Sequence, residues 1–568
     1  MRGALNCGPY MENVLRKRVV ALKLRADGYF ALVLGSGSPF FVTVVVDPVE
    51  VGSLITLTGA RGKKINGGQV QLSGGELSVA KEDVPRRVVS KAARAAVDRA
   101  VKKTLFPYQA EGAAWMAEKL ARGSGALLAD DPGLGKTVQA IAALTAARMF
   151  PVVVVCPSSV KHNWAREFRT SRLDLRVEIV DGLDGKLPRA HVLILNYELM
   201  AARESQLLRC GAKCVVFDEG HTLKEPRPTR SHRAAVGTRI AHGLGCAVIL
   251  SGTPVLNRPE ELFRLLHILD KENWPTYEAY RDKFCGALLE GERGLETKHA
   301  KVRNPATLRA VCSGLVLRRT MSQVLKLPEK TRESVVVELS KEDRVHYDLA
   351  EKNVVDWLKS LGAEKRASSA ARGQAIVKLT MLRRIAALGK LRGPLGAYLS
   401  AWFRRERRPL VVFGHHKQVL DGVHRLCVRS GARISRIKGG DGGEKRQAEV
   451  DKFQRGASDV FIAPIRAGGQ GLNLQRASDM LFLERTWTPS LLTQAEGRIH
   501  RLGQKRKCSV IYLDAKHTID DHVRAVLDNK RRVIGTIMEP SEPHNAAETV
   551  LTVGDVMDSL LRRAGVAQ

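Results

Sequence analysis

The chain has 568 residues, too many for one hydrophobic core, and its length predicts about three or four domains. Hydrophobic residues make up 44% and charged residues 27%, and no apolar run approaches the roughly 20 residues a bilayer span needs, which excludes a helical membrane protein. Lys and Arg number 92 against 59 Asp and Glu, and this formal charge of +33, spread along the whole chain, favours a polyanionic partner, nucleic acid first.

No secretory apolar stretch opens the sequence, so an intracellular, cytoplasmic location is expected. The nine cysteines, at 7, 156, 210, 214, 246, 285, 312, 427 and 508, form no Cys-x-x-Cys pair and read as reduced packing residues rather than zinc ligands.

In chain order, residues 1–85 read as a small β domain, a barrel or curled sheet. Short β-rich runs at 19–24, 29–34, 40–46, 54–57, 70–72 and 77–79 alternate with Gly, Ser, Asp and Pro turns. The basic stretch 59–68 is expected as a flexible hairpin loop, either following a phosphate backbone or simply solvated. Residues 86–103 predict a basic amphipathic linker helix. Phe106-Pro107-Tyr108-Gln109 then precedes a helix, and the Gln109 amide offers the donor and acceptor that an adenine edge requires.

The apolar run 125–129 is followed by Gly133-Leu134-Gly135-Lys136-Thr137 and by Val138 in a helical apolar pattern, the order strand, phosphate loop, helix. Such a loop aims backbone N–H groups and a helix N-terminus at a polyphosphate, with Lys136 on the β and γ phosphates and the Thr137 hydroxyl on Mg2+. Asp130 stands where the usual pattern has its first Gly. Run 152–155 reads as a buried parallel strand ending in a small polar turn with Ser158, Ser159 and Lys161, and 192–195 repeats this before Tyr197. Run 214–217 ends in Asp218-Glu219-Gly220-His221, at the sheet edge where open α/β folds place ligands. Asp218 suits the metal, and Glu219 the attacking water. The apolar run 247–250 then leads into Ser251-Gly252-Thr253-Pro254.

A second α/β unit opens near residue 390. Its strand 409–413 leads to His415-His416, read as a polar turn rather than a metal site because no third ligand is near. The glycines of Ala-Gly-Gly-Gln-Gly-Leu-Asn-Leu (467–474) permit close backbone approach to nucleotide and nucleic acid. In 494–504, Arg498 and Arg501 are three apart, so a helix there would present both guanidinium groups on one face. Supplied from the second lobe, they would act as arginine fingers in cis.

The set Phe-Pro-Tyr-Gln, Gly-Leu-Gly-Lys-Thr, Asp-Glu-Gly-His, Ser-Gly-Thr-Pro, Leu-Arg-Arg-Thr (317–320), Ala-Gly-Gly-x-Gly-Leu-Asn-Leu and Gln-Ala-Glu-Gly-Arg resembles the Swi/Snf-type ATPases of the superfamily-two helicases. The resemblance covers residues 104–535, and the stretch from Phe413 is similar to the annealing-helicase sub-branch. Pro132 and Gly220 depart from the commoner family residues without removing a chemical group.

The resemblance implies an α/β fold with two RecA-like parallel-sheet lobes, helical insertions and an added N-terminal β domain. The expected boundaries are 104–330 for lobe 1, 331–389 for a helical insertion or linker, 390–533 for lobe 2, and 534–568 for a tail with an amphipathic helix. It implies ATP and Mg2+ as cofactors, with nucleotide contacts from Phe106, Gln109, residues 133–138 and Gly471. Nucleic-acid contacts are expected at Ser158, Ser159, Lys161, Tyr197, His415, Gly468 and Gly469, and coupling roles at His221, Ser251, Thr253 and Gln494. The implied function is a monomeric DNA-dependent ATPase that translocates on, remodels or anneals double-stranded or branched DNA. A strand-separating DNA or RNA helicase and a non-catalytic nucleic-acid scaffold stay open as alternatives. The compact chain, with no recognisable histone-reading module, points to a prokaryotic or viral source.

Overall fold

The computed structural model describes residues 89–171, 174–183, 185–227, 229, 231–252, 254, 259–285, 305–325, 327–361, 369–405, 408–468, 472–538 and 553–565, together with the backbone of seven N-terminal strands. Those strands are β1 (Leu15–Leu24), β2 (Phe30–Leu34), β3 (Phe40–Val44), β4 (Leu54–Thr58), β5 (Arg61–Ile65), β6 (Gln69–Ser73) and β7 (Glu76–Val79). They form one sheet in the order β5-β6-β3-β2-β1-β4-β7. One expectation fails here: 61–65, read as part of a flexible loop, is an edge strand paired antiparallel with β6, Lys63 opposite Gln71. The linker helix is shorter than expected, Lys91–Asp98, capped by the Ser90 side chain accepting from Ala93 N.

Lobe 1 is built on β8 (Ala126–Leu128), β9 (Val152–Cys156), β10 (Val177–Ile179), β11 (Val192–Asn196), β12 (Cys214–Asp218), β13 (Ala247–Leu250) and β14 (Val316–Leu317). They lie parallel in the order β10-β11-β9-β12-β13-β8-β14. The side-chain period of two explains why these strands are apolar throughout. Val153, Val155, Leu195 and Phe217 enter the core on one face of the sheet. Val152, Val154, Ile194 and Val216 enter the core on the other. With both faces covered, each such valine removed from water contributes about 1.5–3 kcal/mol.

Lobe 2 holds β15 (Lys330–Val337), β16 (Leu410–Gly414), β17 (Ile434–Arg436), β18 (Val460–Pro464), β19 (Asp479–Phe482) and β20 (Cys508–Ala515). These are parallel in the order β15-β20-β19-β16-β18-β17. The segment expected as a helical linker is thus part of lobe 2: 330–337 is its edge strand, and the helices Lys341–Ser360 and Ser369–Arg392 bury Tyr347, Leu358, Leu379 and Leu382 in its core. The tail helix Val553–Arg563 also docks there, through Val556, Met557, Leu560 and Leu561. The eight cysteines among the described residues are free. Among those residues no helix is long and apolar enough to cross a membrane.

Candidate nucleotide cleft between the lobes

The phosphate loop leaves the C-terminal end of β8 and enters the helix Lys136–Ala146. Gly133 and Gly135 take φ of +98° and +76°, a region that favours glycine, and Gly135 is the helix N-cap. The Lys136 ammonium donates to the Asp130 carbonyl at 2.8 Å. Gly252 lies directly opposite, where an added Cβ would stand 3.3 Å from Lys136 Nζ.

Asp130, in the place of the usual glycine, is fully buried behind the loop. Its carboxylate accepts from Arg319 Nε at 3.0 Å and Nη2 at 2.5 Å, and from Gln139 Nε2 at 3.1 Å. Arg319 also donates to Gln139 Oε1 at 2.8 Å and lies over the Tyr108 ring. A Cβ on Gly112 would fall 2.5 Å from Arg319 Nη2, so the close approach of this network requires glycine in that helix. In the sequence Arg319 stands out only as part of Leu-Arg-Arg-Thr (317–320), and its pairing with Asp130 and Gln139 has no signal in the spacing.

The two carboxylates lie at the end of β12. Asp218 Oδ2 accepts from Trp164 Nε1 at 2.7 Å, and Oδ1 from the Glu219 N–H at 3.0 Å. Burial, then the neighbouring Glu219, push the Asp218 carboxyl up to about 6. Burial pushes Glu219 up too, but His221, Lys136 and Arg498 outweigh it, and the net direction is down. Glu219 has φ of +51°, the left-handed region, unusual for a residue with a side chain. His221 Nδ1 stands 3.2 Å from Glu219 Oε2 and 3.3 Å from Ser251 Oγ, so His221 and the buried Ser251 form a polar path from β12 to the end of β13.

Several predicted contacts sit elsewhere. Tyr197 is interior: its hydroxyl donates to the Asp218 carbonyl at 2.8 Å, which supports the carboxylate turn. Lys161 is buried too, paired with Asp181 and 3.5 Å from Asn196 Oδ1. Ser158 and Ser159 are exposed in the turn after β9. Gln109 is buried with its amide already engaged, Oε1 accepting from Phe106 N at 3.1 Å and Nε2 donating to Leu134 O at 3.2 Å. In this conformation it braces the phosphate loop. Phe106 is exposed and stacks on Tyr108 at 6.0 Å, beside an open cavity of about 470 Å³ that Glu111 and Leu325 also line.

In lobe 2, the half-buried His415 meets His416 edge to face at 4.8 Å, and Glu484 accepts from both backbone N–H groups. Burial, then Arg383, lower His415 to about 4. Gln494 is buried. The helix expected to carry both arginines ends sooner: it spans Pro489–Glu496, Gly497 caps it, and Arg498 and Arg501 lie in the turn beyond. Burial lowers Arg498 to about 10, with Arg501 adding to the fall and Glu219 of the other lobe opposing it. Thr253, Gly469 and Gly471 lie outside the described residues, as does the surrounding of Gly468.

A cavity of about 610 Å³ separates the lobes, with Asp131 and Pro132 on one side, Thr493, Gly497 and His500 on the other, and Met321 and Pro328 along the linker. A parallel sheet bearing a phosphate loop and a carboxylate pair, facing arginines on a second parallel sheet, defines a two-lobed helicase-type ATPase core. Comparison agrees: residues 108–387 match the SNF2-related domain, and residues 395–503 the helicase conserved C-terminal domain. The chain belongs to the SNF2-related family of helicase-like ATPases.

Among its relatives is the SWI/SNF-related matrix-associated actin-dependent regulator of chromatin subfamily A-like protein 1 homolog of Caenorhabditis elegans, 32% identical over 80% of this chain and 64% of that protein. Another is the DNA annealing helicase and endonuclease ZRANB3 of Mus musculus, 29% identical over 76% of this chain and 41% of that protein. The chain thus spans less than two thirds of the curated relatives it matches. The solved SWI2/SNF2 ATPase core of Sulfolobus solfataricus in complex with dsDNA aligns at 23% identity and a TM-score of 0.38, covering 78% of this chain and 98% of that one. The curated relatives are animal proteins and lend no support to a prokaryotic or viral source.

Proposed function

We propose that this chain is a monomeric DNA-dependent ATPase that hydrolyses Mg-ATP between its lobes and uses their closure to translocate on, remodel or anneal double-stranded or branched DNA. The observation that carries this reading is the convergence of Lys136, the Asp218–Glu219 pair and Arg498 of the opposite lobe, close enough that Lys136 and Arg498 both help hold Glu219 ionised. Adenine fits the cavity beside Phe106 and Tyr108, and the phosphates fit the loop 133–137. Glu219 Oε2 has His221 Nδ1 at 3.2 Å, a contact that keeps the carboxylate ionised and oriented toward a water bound during hydrolysis.

Thr137 and Asp218 supply the oxygen donors that suit Mg2+, which when bound neutralises phosphate charge. Lys136 exchanges the Asp130 carbonyl for phosphate oxygens. Glu219 orients the attacking water and accepts its proton, while Arg498 and Arg501 stabilise charge on the transferred phosphoryl group. Ser158 and Ser159, exposed after β9, would contact the nucleic-acid backbone rather than its bases, so binding is weakly sequence-specific and salt-sensitive. The names of the relatives, one of them a DNA annealing helicase, support DNA over RNA.

The test is steady-state ATP hydrolysis without nucleic acid and with matched single-stranded, duplex and branched DNA and RNA. Stimulation by duplex or branched DNA is expected. Stimulation only by RNA or single strands would favour a strand-separating helicase, and no turnover under any condition would favour a scaffold.

A further inference from the structure

We infer that Glu496 is a positioning residue that ties the arginine turn to the interlobe linker, so that the linker's conformation sets where Arg498 and Arg501 stand. The inference rests on the proposed reading of this cleft as an ATPase site.

Arg498 and Arg501 lie beyond the end of their helix, in a turn whose first N–H groups, those of Gly497 and Arg498, donate back to the Thr493 and Ala495 carbonyls at 3.0 Å. Glu496 anchors this turn through both its backbone and its side chain. Its backbone carbonyl accepts from Ile499 N at 3.2 Å and His500 N at 3.1 Å, which folds the turn back over it. Its side chain is fully buried and bolted to the sheet. Oε1 accepts from the Tyr512 hydroxyl at 2.6 Å and Arg332 Nε at 2.9 Å, while Oε2 accepts from Lys330 Nζ at 2.9 Å and Arg332 Nη2 at 2.7 Å. Burial would push this carboxyl up, but Arg332 and Lys330 hold it near 2, so it keeps its charge at any working pH.

Lys330 and Arg332 open β15, the first strand after the linker. A second tie lies beside them, His500 Nε2 to the Pro328 carbonyl at 2.8 Å. At its other end the linker is hooked to the phosphate loop, where Met321 N donates to Asp131 Oδ2 at 3.0 Å. The linker is therefore fastened at one end beside the phosphates and at the other to the arginine turn, and it runs along the cavity between them. A displacement of Asp131 when the loop takes up phosphates is transmitted to Glu496 through this strap. Two cations hold this buried carboxylate, both from the start of the strand into which the linker runs.

The test is Glu496→Gln, which keeps the shape and removes the charge, assayed in single turnover and steady state with duplex DNA. We expect kcat to fall on the order of 10–100-fold while KM for ATP moves less than about threefold. Glu496→Gln combined with Arg498→Ala should be no slower than Arg498→Ala alone, because both changes act through the same guanidinium group. Lys330→Met, which leaves the Arg332 pair in place, should show a smaller loss with the same non-additivity, and it keeps the test open if Glu496→Gln does not fold. Wild-type kcat in Glu496→Gln, losses that multiply with Arg498→Ala, or a loss that tracks the melting curve would overturn the inference. Lys136→Ala is the control: if it hydrolyses ATP normally, the site reading itself fails and takes the inference with it. A dead Lys136→Ala beside an active Glu496→Gln rejects the positioning role alone.

Discussion

Asp130→Gly restores the residue that phosphate loops usually carry, yet this protein should be damaged by it. The substitution strips Arg319, whose side chain is 11% exposed, of its bidentate carboxylate partner. Breaking one side of a buried pair costs about 3–5 kcal/mol, since the remaining charge is left without its counter-ion. Arg319 retains the Tyr108 carbonyl and Gln139 Oε1, so the lower end, about 3 kcal/mol, is expected. For a lobe of this size, that corresponds to a fall of roughly 6–12 °C in its melting transition. Asp130→Gly/Arg319→Met, which removes the stranded charge, should recover at least half of the loss. Thermal unfolding followed by circular dichroism reads both variants. An Asp130→Gly protein that melts with the wild type, or a double variant that melts lower than either single, would refute the pairing argument.

Three further outcomes follow from the same geometry. Trp164→Phe removes the hydrogen bond that holds Asp218 down, so the acid limb of the ATPase pH profile should move to higher pH; an unmoved limb contradicts the role given to Trp164. Glu496 and Glu484 are both depressed to about 2 in the fold, so the stability they contribute is complete above their unfolded range near 4.3 and is lost as pH falls toward 2. Lobe 2 should therefore lose stability through that window, and Glu496→Gln should flatten the loss in a pH series of denaturant melts. Lys161→Met should leave the salt dependence of DNA binding unchanged, because its ammonium is already paired with Asp181; a slope reduced by about one would return Lys161 to the DNA interface.

The parts legible in the sequence are those that local chemistry determines. Val152–Cys156 and Cys214–Asp218 read as strands because a sheet covered on both faces needs unbroken apolar runs. The loop 133–137 read as a phosphate cradle because Gly-Leu-Gly-Lys-Thr stands between an apolar strand and a helical pattern, and the positive φ of Gly133 and Gly135 agrees with that reading. What stayed hidden depends on partners distant in the chain. Arg61–Ile65 carries Gly and two Lys, poor strand formers, and becomes a strand only because β6 pairs with it. Asp130 and Arg319 are 189 residues apart, and no spacing rule connects them. Tyr197 and Lys161 follow strands at the ligand edge, where polar residues suggest a surface, yet tertiary packing turns both inward. Gly497 ends the arginine helix one residue before Arg498, a helix stop the three-residue spacing could not reveal.

The most direct test of the account is single-turnover ATP hydrolysis by Arg498→Ala with duplex DNA, alongside nucleotide binding by the same protein. The arginine of the second lobe should be needed for chemistry but not for binding, so the rate should fall on the order of 1,000-fold or more while nucleotide affinity stays within about threefold. Hydrolysis at the wild-type rate would contradict the claim that the reaction is completed across the cleft between the lobes.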